Sequence, residues 1–301
     1  MHGLLDVMSK NRPSAPSLLS QTKKILREFN LRVKKGLGQH FLVDDAVLQK
    51  IVETADLHPD DTVIEVGPGL GILTSELARR AGWVIAIELD NTLADILQKT
   101  LPYDNTVILN ENVLGVDTRL LLEHRAPRFP TSLTGYKVVA NLPYYITSPV
   151  LRHFLEAPVK PSAMVVMVQR EVAGVITAGD GERTLLSVAV QFYGKPSIVT
   201  IVPAAAFYPP PDVDSAVVKI DVYPHSPYDV ADPDGFFKLV KAGFTAARKQ
   251  IANSLTQGLA IDKTDVKLML AAAGIDGQRR AETLTIQEWA DLWNIFLGME
   301  A

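Results

Sequence analysis

Apolar positions along the chain fall into two kinds of run. Short continuous stretches rich in aliphatic and β-branched residues read as buried strands: Thr62–Val66, Trp83–Ile87, Thr106–Leu109, Tyr136–Ala140, Ala163–Gln169, Ser197–Val202 and Ala216–Val222. Between them lie stretches with apolar residues three and four apart. In Asp45–Ala55, for example, Val47, Leu48, Ile51 and Val52 form one face of a helix. Further helices are predicted from near Ile72, over about 91–100 and over Leu185–Phe192. The order over residues 62–109 is βαβαβ, so the expected architecture is α/β, a doubly wound sheet of about seven strands.

The two ends differ from this middle. Ser17–Lys35 has apolar residues at 18, 19, 25, 26, 29 and 33, a roughly helical spacing that Gly36-Leu37-Gly38 ends. After Tyr223, Pro224, Pro227 and Pro233 read as a linker, and everything beyond reads as helical. The last helix opens on the capping box Thr285-Ile286-Gln287-Glu288 and carries Trp289, Leu292, Trp293 and Phe296 on one stripe. The predicted organisation is an N-terminal helical arm (1–35), an α/β domain (36–223) and a small all-helical domain (224–301). No internal repeat is evident.

Composition narrows the chemistry. Of the 301 residues 47 % are apolar and 21 % charged, ordinary values for a folded globular chain. Cysteine is absent, which excludes disulfides, cysteine-ligated metals and a cysteine nucleophile. The six histidines never fall at i, i+4 spacing, and no metal site is expected. With 30 basic and 34 acidic residues the net charge is −4, so the bulk field does not attract a polyanion. The distribution says more: Ser17–Lys35 holds Lys23, Lys24, Arg27, Arg32, Lys34 and Lys35 against Glu28, a local excess of +5. On charge alone the plainer reading is a solvated helix face, and the functional one is an arm that holds nucleic-acid phosphates. The N-terminus lacks the apolar core of a signal peptide and no apolar run reaches the ~18 residues of a membrane span, so a cytoplasmic protein without membrane contact is expected.

The first strand runs directly into Gly67-Pro68-Gly69-Leu70-Gly71, and glycines there let a ligand approach the backbone at the end of a sheet strand. Glu88 ends the second strand, where a carboxylate can accept both ribose hydroxyls of an adenosine. A dinucleotide fingerprint needs its third glycine where Ile72 stands. The Gly67-x-Gly69-x-Gly71 spacing points instead to S-adenosylmethionine, with Glu65 near where its ammonium would lie; a nicotinamide dehydrogenase stays open as the alternative. Asn141-Leu142-Pro143-Tyr144 closes the fourth strand. An exocyclic amine on a base is a poor nucleophile because its lone pair is delocalised into the ring. The Asn141 side-chain oxygen and the Leu142 carbonyl can hold its two hydrogens, Pro143 stiffens that backbone, and Tyr144 supplies a face for an extruded base. Phe207-Tyr208-Pro209-Pro210-Pro211 reads as a rigid turn whose Phe207 can cover the other face of the base, or as an ordinary proline turn.

These motifs together resemble the bacterial small-subunit rRNA adenine dimethyltransferase family, over about residues 32–298. The resemblance rests on Leu37-Gly38-Gln39-His40-Phe41-Leu42, Glu65-Val66-Gly67-Pro68-Gly69-Leu70-Gly71, Ile87-Glu88-Leu89-Asp90, Asn141-Leu142-Pro143-Tyr144, the segment Phe207–Val218, and Arg248-Lys249 followed by Asn253-Ser254-Leu255. It implies a Rossmann-like class I methyltransferase that dimethylates N6 of two adjacent adenosines near the 3′ end of 16S rRNA during 30S maturation. It also implies that His40, Leu42, Gly67, Glu88, Asn112 and Asn141 line the S-adenosylmethionine site, that Tyr144 and Phe207 sandwich the adenine, and that Arg248 and Lys249 touch RNA. His40 stands where the family often has Asn, Asn112 where it has Asp, and Arg183-Thr184 where it has Tyr-Gly. The rival readings are a 23S rRNA adenine methyltransferase of the macrolide-resistance type and a non-catalytic rRNA biogenesis or transcription factor with the same fold. A monomer is expected.

Overall fold

In a computed structural model, residues 16–31, 33, 39–124 and 135–300 are described. The strands are β1 (Phe41–Leu42), β2 (Thr62–Val66), β3 (Trp83–Glu88), β4 (Thr106–Asn110), β5 (Lys137–Asn141), β6 (Ala163–Gln169), β7 (Gly194–Val202), β8 (Phe207–Tyr208) and β9 (Ser215–Val222). The helices are α1 (Leu18–Glu28), α2 (Asp45–Ala55), α3 (Ile72–Ala78), α4 (Asn91–Thr100), α5 (Thr118–His124), α6 (Thr147–Leu155), α7 (Arg170–Ile176), α8 (Leu185–Tyr193), α9 (Pro233–Phe244), α10 (Ile251–Leu259), α11 (Lys263–Ala272) and α12 (Ile286–Glu300).

Seven strands form one sheet in the order β4-β3-β2-β5-β6-β9-β7, parallel except that β9 runs antiparallel to both its neighbours. The strand residues alternate between two buried layers. Ile64, Val66, Ile85, Val138, Met164 and Val218 point to the face covered by α5, α6 and α7; Val63, Val84, Val139, Val165 and Val217 point to the face covered by α2 and α3. Both faces are dry, which is why the strands read as unbroken apolar runs rather than alternating ones. The chain enters the sheet at β2, steps outward to β3 and β4, then returns to lay β5 against the other side of β2, with Val63 opposite Lys137 and Ile64 opposite Val138. That reversal puts a crevice between the C-terminal ends of β2 and β5.

The helical C-terminal part has its own core, with Phe236, Leu239, Ile251, Leu255, Trp289 and Trp293 in it; Val188 and Phe192 of α8 belong to the same cluster. The capping box of α12 is present: Glu288 N–H donates to Thr285 Oγ1 at 3.1 Å and Thr285 N–H to Glu288 Oε2 at 2.7 Å.

Three local expectations are corrected. The arm helix does not run to Lys35; it stops at Glu28, because Asn30 takes a left-handed conformation (φ 48°) and the chain closes with Asn30 N–H donating to Arg27 O and Leu31 N–H to Leu26 O. Strand β7 starts at Gly194, not Ser197. Gly194 and Pro196 look like breakers in sequence, yet β7 is an edge strand, where a proline leaves no ladder bond missing. The proline-rich segment is not only a turn: Phe207 and Tyr208 pair antiparallel with Leu42 and Phe41 in a separate two-stranded sheet.

Candidate active site

A cavity of about 580 Å³ opens at the crevice between β2 and β5, within the range of small-molecule sites. Its wall is built from five segments: 39–42, the glycine loop, the end of β3 through α4's first turn, residues 111–114, and 141–146. His40, Leu42, Glu65, Gly67, Gly69, Glu88, Asn112, Asn141, Leu142, Pro143 and Tyr144 all line it. The structure thus brings together every expected cofactor residue and four of the five expected catalytic ones.

Gly67, Gly69 and Gly71 all have positive φ (67°, 60° and 79°), so the loop curls in a way that side chains resist. Its Gly69 N–H donates to Glu88 Oε2 at 3.1 Å, and Asp90 N–H donates to Glu88 Oε1 at 2.9 Å. Burial pushes the Glu88 carboxyl up, and these two amides act against that shift. Asp90 also caps α4 through Thr92 N–H and Leu93 N–H.

Glu65 is fully buried, and its Oε2 has no hydrogen-bond partner among the described residues. Burial pushes its carboxyl up to about 8; the nearby Thr74 hydroxyl lowers it and the Glu88 charge raises it. A buried acid that lines a cavity and has one oxygen without a hydrogen bond fits a cationic ligand group. The Asn112 side-chain oxygen accepts Leu114 N–H at 3.1 Å, capping a single 3-10 turn at Val113–Gly115.

Asn141 ends β5, and its Nδ2 donates to the His40 carbonyl at 3.3 Å. That contact settles the flip of the amide and turns Oδ1, the acceptor, away from His40. The Leu142 N–H donates to Met167 O, holding the segment to β6. Tyr144 begins a 3-10 turn at Tyr144–Ile146, and its hydroxyl shares a 2.6 Å hydrogen bond with Ser215 Oγ. The His40 ring lies beside it, centroids 6.0 Å apart and 21° from parallel. His40 Nδ1 meets Pro209 O at 2.8 Å; a carbonyl only accepts, so that nitrogen carries the proton.

Phe207 is the exception. It is 3 % exposed, lies in the core cluster with Leu42 opposite it in the β1–β8 pair, and is not part of the cavity wall. The strand pairing turns its ring inward, beneath the wall. Of the expected RNA residues, Lys23 places its ammonium 5.2 Å from the centroid of the Tyr208 ring, so the arm lies against the same proline-rich segment. Lys24 is exposed, Arg248 and Lys249 are exposed in the turn between α9 and α10, and Lys34 and Lys35 fall outside the described residues. Sequence reasoning missed Leu89, Leu114 and Tyr145, large apolar side chains that line the cavity yet remain 54 %, 38 % and 56 % exposed. For Leu89 the available signal was an apolar residue directly after Glu88 at the end of β3, and for Tyr145 its place next to Tyr144; Leu114, two residues past Asn112 in a 3-10 turn, has no such signal. Among the described residues no acidic or histidine cluster can hold a metal, and no helix is long and apolar enough to cross a membrane.

A family model described as ribosomal RNA adenine dimethylase matches residues 30–297. The chain is 51 % identical over 286 residues to a protein of Dehalococcoides mccartyi named ribosomal RNA small subunit methyltransferase A, covering 95 % of this chain and 96 % of that one. It is 42 % identical over 280 residues to the protein of the same name from Geobacillus kaustophilus, covering 91 % and 94 %. Among solved structures, the 23S rRNA methyltransferase ErmE matches with a TM-score of 0.64 at 29 % identity, over 85 % of this chain and 98 % of that one. A dimethyladenosine transferase from Plasmodium falciparum matches with a TM-score of 0.69 at 23 % identity, over 87 % and 98 %, a likeness of fold.

Proposed function

Because the chain belongs to the ribosomal RNA adenine dimethylase family, we propose that the residues gathered at the β2–β5 crevice dimethylate N6 of two adjacent adenosines near the 3′ end of 16S rRNA. The protein is an S-adenosylmethionine-dependent rRNA adenine dimethyltransferase. Relatives that are 41–51 % identical carry small-subunit names, which favours 16S over 23S RNA as substrate.

The cavity fits the cofactor. The loop of left-handed glycines leaves room for it, Glu88 is placed for ribose hydroxyls, and the unpaired Glu65 oxygen suits an ammonium. Exposed Leu89 and Leu114 offer apolar surface for an adenine ring, with Asn112 at its edge. When bound, S-adenosylmethionine supplies a methyl carbon activated by a positive sulfur. The chain's own work is alignment. Asn141 Oδ1 and the Leu142 carbonyl accept the two hydrogens of the target amine and turn its lone pair toward that carbon. Tyr144 stacks on the base, a contact type worth roughly 1–3 kcal/mol. Phe207 supports this wall from below through Leu42. Orientation of this kind can contribute up to about 7–11 kcal/mol. As the nitrogen takes the methyl and the carbon–sulfur bond breaks, the nitrogen becomes positively charged and its proton acidic enough to pass to water, so no strong base is required beside the amine.

The observation that carries this reading is the Asn141 amide, anchored through Nδ2 so that its oxygen stays available. The arm (1–35) and the helical part (224–301) flank the catalytic domain (36–223), and Lys23, Lys24, Lys34, Lys35, Arg248 and Lys249 are assigned to rRNA phosphates. A monomer acting on immature 30S subunits in the cytoplasm suits this substrate. The test is to offer unmethylated 30S particles and labelled S-adenosylmethionine to the protein and to its Asn141→Ala variant, then map the product. N6,N6-dimethyladenosine at two neighbouring positions of 16S rRNA, lost in the variant, is expected. Label in 23S rRNA, or equal incorporation by both proteins, overturns the assignment.

A further inference from the structure

The stacking tyrosine is held at its far end by a residue from a segment more than sixty positions away. Ser215 is the first residue of β9, is fully buried, and pairs with Gln169 on one side and Val202 on the other. Such a residue, locked between two strands, is a fixed point. The residue before it adds to this: Asp214 Oδ1 accepts Ala204 N–H at 3.1 Å, and Asp214 O accepts Arg170 N–H at 3.0 Å. Tyr144 is the opposite case. It sits in a three-residue turn at a cavity wall, and only two side-chain torsions set the plane of its ring. The 2.6 Å bond between the two hydroxyls removes that freedom. The His40 ring lies near and almost parallel to it and Ser215 holds its tip, so this bond fixes the surface that Tyr144, a residue of the cavity wall, offers to a base.

We propose that Ser215 is a positioning residue for methyl transfer: it fixes the ring plane of Tyr144 so that the target adenine stacks with its amine at Asn141 Oδ1 and the Leu142 carbonyl. The inference rests on the stacking role given to Tyr144 above. Ser215 touches neither base nor cofactor in this role, and it acts only through the tyrosine hydroxyl. Loss of one such bond lets the ring tilt, and the base with it, while the cofactor side of the cavity stays intact.

The test is a double-mutant cycle on 30S particles with Ser215→Ala, Tyr144→Phe, the two combined, and Tyr144→Ala, reading kcat, KM for the particle and Kd for the cofactor. Ser215→Ala and Tyr144→Phe are each expected to lower kcat about 10-fold, the size of one lost hydrogen bond between neutral groups, with cofactor Kd unchanged. The combined variant is expected to lose the same ~10-fold and not ~100-fold, because both changes remove one bond. A contact that served folding alone would lower the melting temperature and leave kcat in place. Should Ser215→Ala fold poorly, Tyr144→Phe breaks the same bond without touching the sheet. Wild-type kcat in Tyr144→Phe, or losses that multiply, overturns the inference. If Tyr144→Ala is inactive while both single hydroxyl removals are harmless, the stacking role stands and only the positioning role falls. If Tyr144→Ala is fully active, both fall.

Discussion

The Gly69 amide reaches the Glu88 carboxylate across 3.1 Å, so the glycine loop after β2 and the end of β3 form one unit before any ligand arrives. The bond explains how an acid 19 residues away comes to face the loop. It also occupies part of what Glu88 can offer: its two oxygens accept the Gly69 and Asp90 N–H groups, and the acceptor capacity left over is open to ribose hydroxyls.

Glu88→Gln keeps the shape but removes the charge and converts one acceptor into a donor. Hydrogen bonds to a charged group contribute about 1.5–3 kcal/mol, so cofactor affinity is expected to fall roughly 10- to 100-fold. Titration calorimetry measures this directly. An unchanged Kd takes Glu88 out of the ribose site.

Glu65 makes stability depend on pH. Its carboxyl is raised from 4.5 to about 8 in the folded protein, so between those values the folded state holds a proton that the unfolded chain has lost. Stability from this group is therefore greatest below about pH 4.5 and declines as pH rises toward 8, by up to about 1.4 kcal/mol per pH unit. Glu65→Gln is expected to flatten this decline in thermal melts between pH 5.5 and 8. Parallel curves for the two proteins contradict it.

Gly71 is favoured by its conformation, and a side chain there would also have to displace a leucine of α4. A Cβ there would lie 2.7 Å from Leu97 Cδ2, and φ is +79°. Left-handed backbone alone costs an alanine about 1–2 kcal/mol, and the contact with α4 adds to that. Gly71→Ala is expected to lower the urea midpoint clearly. Gly115→Ala, where an added Cβ meets nothing within 4 Å, shifts it little.

Lysines of the arm are expected to act through charge. Replacing Lys23, Lys24, Lys34 and Lys35 by Ala weakens rRNA binding and reduces the slope of log K against log salt by about one for each phosphate no longer neutralised. Filter binding across a salt series reads the slope. An unaltered slope removes the arm from the interface and leaves Lys23 as a packing partner of Tyr208.

Much of this was legible in order along the chain. Unbroken apolar runs mark strands buried on both faces, and each observed strand of the large sheet overlaps a predicted one. The glycine loop, Glu88 and Asn141 are readable because each lies at the end of a strand, and strand ends of a doubly wound sheet converge on the switch point whatever the loops do. What periodicity leaves open is which distant segments meet. Phe41–Leu42 and Phe207–Tyr208 are two-residue strands too short to show any pattern, yet their pairing decides that Phe207 is buried and not a wall of the cavity. The same holds for Tyr144 and Ser215, and for Asn141 and the His40 carbonyl, which are 71 and 101 residues apart. Local sequence determines which residues are available for the chemistry, because helices and strands follow from neighbours in the chain. The plane of a ring, the flip of an amide and the side from which a phenylalanine packs come from contacts that exist only once the sheet has closed around them, and those the tertiary structure alone decides.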